Sequence, residues 1–447
     1  MKRSLFEKVL TPARILAVGF SALIFLGGIL LSLPITSNNG SRLNFLDALF
    51  TATSAVCVTG LVVVDTLTQF NLFGQLVLLL LIQIGGLGIM TVTTFIMIIA
   101  GKKIGLKERL VMQEALNVNS LQGVIRLTRN IVLITLGIEM FFAAILAIRF
   151  SYIMPMGKAV YYGIFHSISS FNDAGFDLFG NFKSLTDFVD DPTVNIAVMM
   201  LIILGGLGFT VLVDLWKAPK PERLALHTKL VLSMTTGLLV VGAIGYFLLE
   251  MNNPKTLGAL DWDGKILASM FASTTARTAG FATIDYGSIT DTTKLWTILL
   301  MFVGASPGGT GGGIKTVTTI VVLLYVLSVV TGKDSTITFR RRIDPKTIYK
   351  AFTVTVISAM LVVGVTFCLT LTEKQSFIRL LFEATSAFGT VGLSTNLTPE
   401  LTPAGKIIIM FMMFAGRLGP VTLVLALIKR GQGPQLLKYP EEKLFVG

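Results

Sequence analysis

The chain alternates between long apolar runs and short polar connections. Residues 15–33, 76–100, 131–148 and 196–212 are almost continuously apolar. As helices, each is about long enough to cross a hydrocarbon core ~30 Å thick. Charged residues make up only 14% of the 447 residues and hydrophobic ones 53%; a soluble chain carries roughly 25% charged residues. The pattern therefore predicts a multi-pass membrane protein. Run 15–33 is too long for a signal-peptide core, and Ser32-Leu33-Pro34 is a poor cleavage site, so it reads as the first span.

A second pattern lies over the first. Four segments align around a glycine: Val58-Thr59-Gly60-Leu61, Asp173-Ala174-Gly175-Phe176, Thr278-Ala279-Gly280-Phe281 and Thr390-Val391-Gly392-Leu393. The glycines are 115, 105 and 112 residues apart, and Phe50, Phe165, Phe271 and Phe382 precede them by nine or ten residues. A later marker also recurs: Gly85-Gly86-Leu87-Gly88, Gly205-Gly206-Leu207-Gly208, Gly304 alone, and Gly416-Arg417-Leu418-Gly419. Each repeat reads as span, short half-helix, glycine turn, span. Half-helices such as 47–55 and 379–387 are too short to cross, and re-entrant segments are tolerated where they line a water-filled cavity. The expected fold is all-α and polytopic, with four pseudo-symmetric repeats, eight spans and four re-entrant pore helices around one central pore. The repeats divide the chain at 1–125, 126–223, 224–343 and 344–447. Gly85, Gly86, Gly88, Gly205, Gly206 and Gly208 fall mid-span and read as close-packing positions.

Net charge is +12. With eight spans, the face carrying both termini has 24 basic against nine acidic residues, and the other face has 10 against 15. By the positive-inside rule both termini are expected in the cytoplasm. The basic excess is thus a topology signal rather than a nucleic-acid surface. Cys57 and Cys368 sit in different apolar segments and form neither a disulfide framework nor a metal site. His166 and His227 are isolated, paired catalytic carboxylates are missing, and no ATPase motif is present. An enzyme is not expected, and the chain calls for no organic cofactor.

Four backbone loops around an axis can replace the water of a bare cation with rings of carbonyl oxygens. Inward-pointing carbonyls need alternating backbone conformations, one with positive φ, which glycine supplies without steric cost. The C-terminal ends of the half-helices would add roughly half a negative charge each. Thr390-Val391-Gly392-Leu393 resembles the start of the potassium-channel filter, and the other three segments resemble decayed copies. One chain with four such copies resembles the Trk/Ktr/HKT superfamily of potassium transporters, in particular its Ktr membrane subunits. The resemblance implies a K+ selectivity filter at Val58, Thr59, Gly60, Asp173, Ala174, Gly175, Thr278, Ala279, Gly280, Thr390, Val391 and Gly392, with K+ held by their backbone carbonyls. It leaves open sodium as a second, coupling ion. Each loop has one glycine rather than two, and no tyrosine, which points to fewer ion sites than a potassium channel has.

The third repeat departs from the others. Its second span, 296–330, contains Gly304-Ala305-Ser306-Pro307-Gly308-Gly309-Thr310-Gly311-Gly312-Gly313. Each interior glycine costs a helix roughly 1 kcal/mol and proline about 3 kcal/mol, so the run is expected as an irregular intramembrane loop below the filter. Its small side chains suggest weak anchoring. A phosphate-binding loop is disfavoured because Ile314 separates the last glycine from Lys315 and no strand precedes. A passive kink is the other alternative. Arg417, a buried cation, is expected to bond the loop carbonyls. The resemblance implies that this loop, with Lys315 and Arg417, forms a gate. Arg277 is expected behind the filter. Asp173 reads equally as a cation-attracting and a hydrogen-bonded structural residue.

Leu106, Leu110 and Leu116 stand among charges within 104–119, a pattern that fits a docking helix or one lying on the inner leaflet. The resemblance implies a homodimer in the plasma membrane on a cytosolic ring of RCK-type regulatory subunits, which bind ATP or ADP. The competing reading is a secondary transporter of another substrate. That would call for two inverted repeats and intramembrane carboxylates, whereas only Glu139 is expected to be buried.

Overall fold

A computed structural model describes residues 12–100, 104–115, 123–218, 221–420 and 422–423. Residues 1–11, which include Lys2, Arg3 and Lys8, lie outside them, as do Leu116, Asn119 and the 429–447 tail. We call the face with the basic connections inner and the opposite face outer. The first unit comprises α1 (Pro12–Ser32), α2 (Phe45–Val56), α3 (Leu72–Leu87) and α4 (Ile89–Ile99), followed by α5 (Leu106–Ala115). The second has α6 (Val124–Phe150), α7 (Met156–Phe171), α8 (Pro192–Gly206) and α9 (Phe209–Lys217). The third has α10 (Leu226–Glu250), α11 (Trp262–Thr275), α12 (Asp291–Phe302) and α13 (Thr316–Val330). A two-stranded ribbon, β1 (Ile337–Thr338) with β2 (Arg341–Arg342), leads to α14 (Pro345–Thr372), α15 (Phe377–Gly389) and α16 (Pro403–Leu418).

Helices α1, α6, α10 and α14 are long and apolar enough to cross a membrane unbroken. Phe25, Leu26, Leu133, Phe141, Ile244, Met360 and Phe367 project outward from them, as lipid-facing residues do. The following helices start at polar caps. Asn71, Asp191, Thr290 and Thr402 each accept a backbone N–H from the first turn of α3, α8, α12 and α16, satisfying donors that a helix start leaves open. Proline at the first position of α8 and α16 costs no hydrogen bond there.

The units close into a ring. Helix α3 packs on α7, α8 on α11, α12 on α15, and α16 on α2 of the first unit. Lys406 of α16 and Asp47 of α2 form an ion pair at 2.6 Å across that last junction. Phe50, Phe165, Phe271 and Phe382, the spaced phenylalanines of the repeat, are all fully buried. In lipid, such contacts hold helices by close packing and internal hydrogen bonds rather than by apolar burial alone.

One expectation needs correcting. Runs 76–100 and 196–212 are not straight spans. Helices α3 and α4 meet at 97°, as do α8 and α9. The breaks fall at Gly88 (φ 85°) and Gly208 (φ 92°), with Gly419 (φ 84°) at the matching place after α16. The final glycine of the second marker is therefore a hinge; Gly208 packs as well, against the Pro307 carbonyl, while Gly88 and Gly419 have space around them. The first glycine does pack. A side chain at Gly85, Gly205 or Gly416 would strike the carbonyl oxygen of Val56, Phe171 or Phe388. Of the predicted docking segment, α5 buries Val111 and Met112 and leaves Leu110 exposed; it packs on α1.

Gly208→Ala should lower stability by about 2 kcal/mol or more, from left-handed strain and from a methyl 2.6 Å from the Pro307 oxygen. Gly137, mid-helix in α6 with open space around it, should tolerate alanine with a gain of up to about 1 kcal/mol. Thermal unfolding midpoints of the purified variants in detergent compare the two.

Candidate ion pathway

Helices α2, α7, α11 and α15 all run into the same kind of turn. The residue two before each glycine is left-handed: Val58 (φ 50°), Asp173 (57°), Thr278 (91°) and Thr390 (51°). The glycines follow suit at 87°, 71°, 78° and 89°. Only the glycines were legible as positive-φ sites. A β-branched or carboxylate residue held in that region costs about 1–3 kcal/mol, and the cost recurs four times. Each helix end also carries a hydroxyl that braces its turn. Ser54 Oγ and Ser386 Oγ accept the N–H of Gly60 and Gly392 at 3.0 and 3.1 Å. Ser169 Oγ and Thr275 Oγ1 donate to the carbonyls of Phe176 and Phe281 at 2.7 and 2.6 Å. These four braces were not anticipated, although their recurrence at one offset, shortened by a residue in the third unit, was visible in the chain.

The four turns meet head to tail. A methyl on Gly60 would stand 2.7 Å from the Ala174 oxygen, one on Gly175 2.7 Å from the Ala279 oxygen, and one on Gly280 2.5 Å from the Val391 oxygen. One on Gly392 would strike the Thr59 oxygen and lie 2.9 Å from the Gly60 Cα. The glycines and the carbonyls before them thus form a closed ring, with four helix C-termini directed at it. On its outer side is a cavity of about 430 Å³ lined by all four glycines together with Asp177, Lys183, Asp285, Ser394 and Asn396.

On the inner side lies the segment between α12 and α13. It is irregular, as expected, but it is not weakly anchored. Gly304 N–H donates to Ile314 O at 2.9 Å and closes the neck of the loop. Ser306 and Thr310 N–H donate to the carbonyls of Gly206 and Gly205, at 2.9 and 3.2 Å, and Phe209 N–H donates to Gly308 O at 3.0 Å. These are the backbone groups that the break between α8 and α9 leaves open. The small side chains allow this close backbone contact, which is why the loop is held rather than free. Lys315 Nζ donates to Gly311 O at 2.6 Å. Arg417 donates to Thr310 O, as expected of a loop carbonyl, and also to Gly85 O and Gly86 O at the other helix break. Beyond the loop, a second cavity of about 330 Å³ is lined by Gly308, Gly309, Gly313, Lys315, Lys350 and Arg417. The ring lines the first cavity and the loop the second.

Asp173 is fully buried; its Oδ2 accepts from Thr278 Oγ1 at 3.0 Å and Thr310 Oγ1 at 2.9 Å. Arg277 lies off the ring, beside Ile202, Thr235 and Thr274. Glu139 is buried and bonded to Gln83 and Asn172, the residue before Asp173. It is not the only buried carboxylate in the helices. Glu383 in α15 is fully buried too, accepting from Ser394 Oγ at 2.9 Å and from Thr398 Oγ1. It holds the turn that follows Gly392, and an apolar run around it hid that role.

Bent and unbroken apolar helices around a glycine-and-carbonyl ring with a cavity on either side define a multi-pass membrane protein for moving cations. The chain belongs to the TrkH family of cation transport proteins, whose model matches residues 9–438. It is 47% identical to Ktr system potassium uptake protein B of Bacillus subtilis over 437 residues, covering 98% of this chain and 97% of that protein. It is 39% identical to potassium/sodium uptake protein NtpJ of Enterococcus hirae, covering 99% and 98%. The crystal structure of the potassium transporter TrkH from Vibrio parahaemolyticus matches 96% of this chain and 87% of that one, with a TM-score of 0.73 at 17% identity, and so shares the fold. The chain is a cation transporter and not an enzyme.

Asp177 titrates in a useful range. Burial raises its carboxyl, the Phe179 N–H opposes this, Asp65 adds to it and the Gly180 N–H opposes again; the result is pushed up to about 6. It is charged above that pH and neutral below. Lowering external pH from about 7.5 to about 5.5 should therefore weaken apparent cation affinity, because the outer cavity loses a negative charge. Asp177→Asn should flatten this dependence in tracer uptake by vesicles.

Proposed function

We propose that this protein carries potassium across the plasma membrane through a selectivity filter made of the four turns, residues 58–60, 173–175, 278–280 and 390–392, with the backbone carbonyls as K+ ligands. The observation that carries the reading is the head-to-tail ring of four glycines, each against the carbonyl of the next turn. Dehydrating a cation needs inward oxygens at fixed spacing, and four helix C-termini favour positive charge at the centre. The relatives named for potassium uptake, at up to 47% identity over nearly the full length, support potassium as the ion. The relative named for potassium and sodium supports sodium as a companion ion. The four repeats, 1–125, 126–223, 224–343 and 344–447, complete one pathway per chain. Segment 304–313, with Lys315 and Arg417, acts as its gate. The Bacillus subtilis relative, named as part of a Ktr system, supports a further subunit. In our reading it is a cytosolic RCK-type ring that binds ATP or ADP and works on a homodimer of this chain, with both termini in the cytoplasm.

Gly392→Ser should lower the ratio of rubidium to sodium uptake in vesicles, because the new side chain meets Thr59 and Gly60 across the ring. Gly86 is not a neutral control, since a side chain there strikes Asn172; Gly137→Ser is. An unchanged ratio in Gly392→Ser would falsify the filter assignment.

Removing 305–313 should raise potassium flux. The neck of the loop is already closed by Gly304 and Ile314, so the excision joins neighbouring ends. Lost flux with normal protein yield would make the loop part of the conduction path instead of its gate.

A further inference from the structure

The ring has an inner end that its glycines do not describe. Two residues before each glycine stand Val58, Asp173, Thr278 and Thr390, all fully buried. Three of the four carry side-chain oxygens, and the intramembrane loop engages all three. Thr310 Oγ1 donates to Asp173 Oδ2 at 2.9 Å, and Gly312 N–H donates to Thr390 Oγ1 at 2.7 Å. Thr278 Oγ1 donates to the same Asp173 oxygen at 3.0 Å. Gly311 presses on Thr278 and Gly312 on Thr390: a methyl on either would stand 2.6 Å from a carbon of the threonine. Asp173 Oδ1 is buried with no hydrogen-bond partner, and among the described residues no cation lies within ion-pair distance of Asp173.

A carboxylate and two hydroxyls at the inner end of a carbonyl ring are hard oxygen ligands of the kind that hold small cations. The loop reaches two of these residues with the electropositive ends of its own groups, an O–H and an N–H. A cation and the loop's donors cannot occupy those oxygens together. We infer that the loop and the transported monovalent cation compete for one ligand set, Asp173, Thr278 and Thr390, so that a cation reaching the inner end of the ring displaces the loop and keeps the pathway open. This rests on the proposed ion pathway. It adds that the gate senses the ion itself, and that glycines at 311 and 312 let the loop come close enough to do so.

A ligand that binds only the displaced state shifts the population toward it. Hydrogen–deuterium exchange of the unaltered, purified full chain reads this directly at the amides of residues 304–316. Exchange should quicken by about fivefold or more when potassium replaces N-methylglucamine at equal ionic strength. Asp173→Asn should erase the ion dependence. Thr310→Val, which removes the donor but leaves the carboxylate, should give fast exchange without potassium. Equal exchange in both salts by a chain that still takes up rubidium selectively would overturn the competition and leave the ion pathway standing. If uptake shows no preference among monovalent cations and Gly392→Ser changes nothing, the pathway reading falls, and this inference with it.

Discussion

Helix breaks inside a membrane leave backbone groups that water cannot reach, and the rest of this molecule is arranged around satisfying them. At the break between α8 and α9, the carbonyls of Gly205 and Gly206 and the N–H of Phe209 are taken up by the backbone of segment 304–313. At the break between α3 and α4, the carbonyls of Gly85 and Gly86 are taken up by Arg417. An unsatisfied group in hydrocarbon costs several kcal/mol. The loop and the arginine are thus structural partners of bent helices in other units as well as occupants of the central axis. Anything that moves them must offer those carbonyls a substitute, and water entering the inner cavity is the obvious one.

The ring itself stores strain in the opposite sense. Val58, Asp173, Thr278 and Thr390 are held left-handed at a cost. The hydroxyl braces, the buried phenylalanines and Glu383 behind the fourth turn hold them there.

Much of this was legible in the chain. Runs 15–33 and 131–148 fall in unbroken helices, the glycine of each of the four turns takes positive φ, and the proline–glycine run is irregular, as their physical readings put them. The bends at Gly88 and Gly208 were not legible, because the residues on both sides are equally apolar and hydropathy carries no direction. Arg417's bonds to the first unit were hidden for a related reason: a single arginine states that it needs acceptors, not which ones. Glu383 lay unmarked because only its distant partners, Ser394 and Thr398, reveal its purpose. The loop's anchoring was misjudged from its small side chains, since it is held mainly through backbone groups, with Thr310, Thr390, Lys315 and Arg417 adding side-chain bonds.

The closure of α16 onto α2 has a bearing on how the chain is made. The Thr59 carbonyl and Gly60 wait for Gly392, more than three hundred residues later, before their wall of the ring exists. Asp47 waits equally for Lys406. During synthesis, three units stand with their strained turns open to one side. Contacts of such long sequence separation form late and slowly. The last unit therefore acts as the keystone of assembly: until it arrives, the earlier three hold neither a sealed path nor a finished ring.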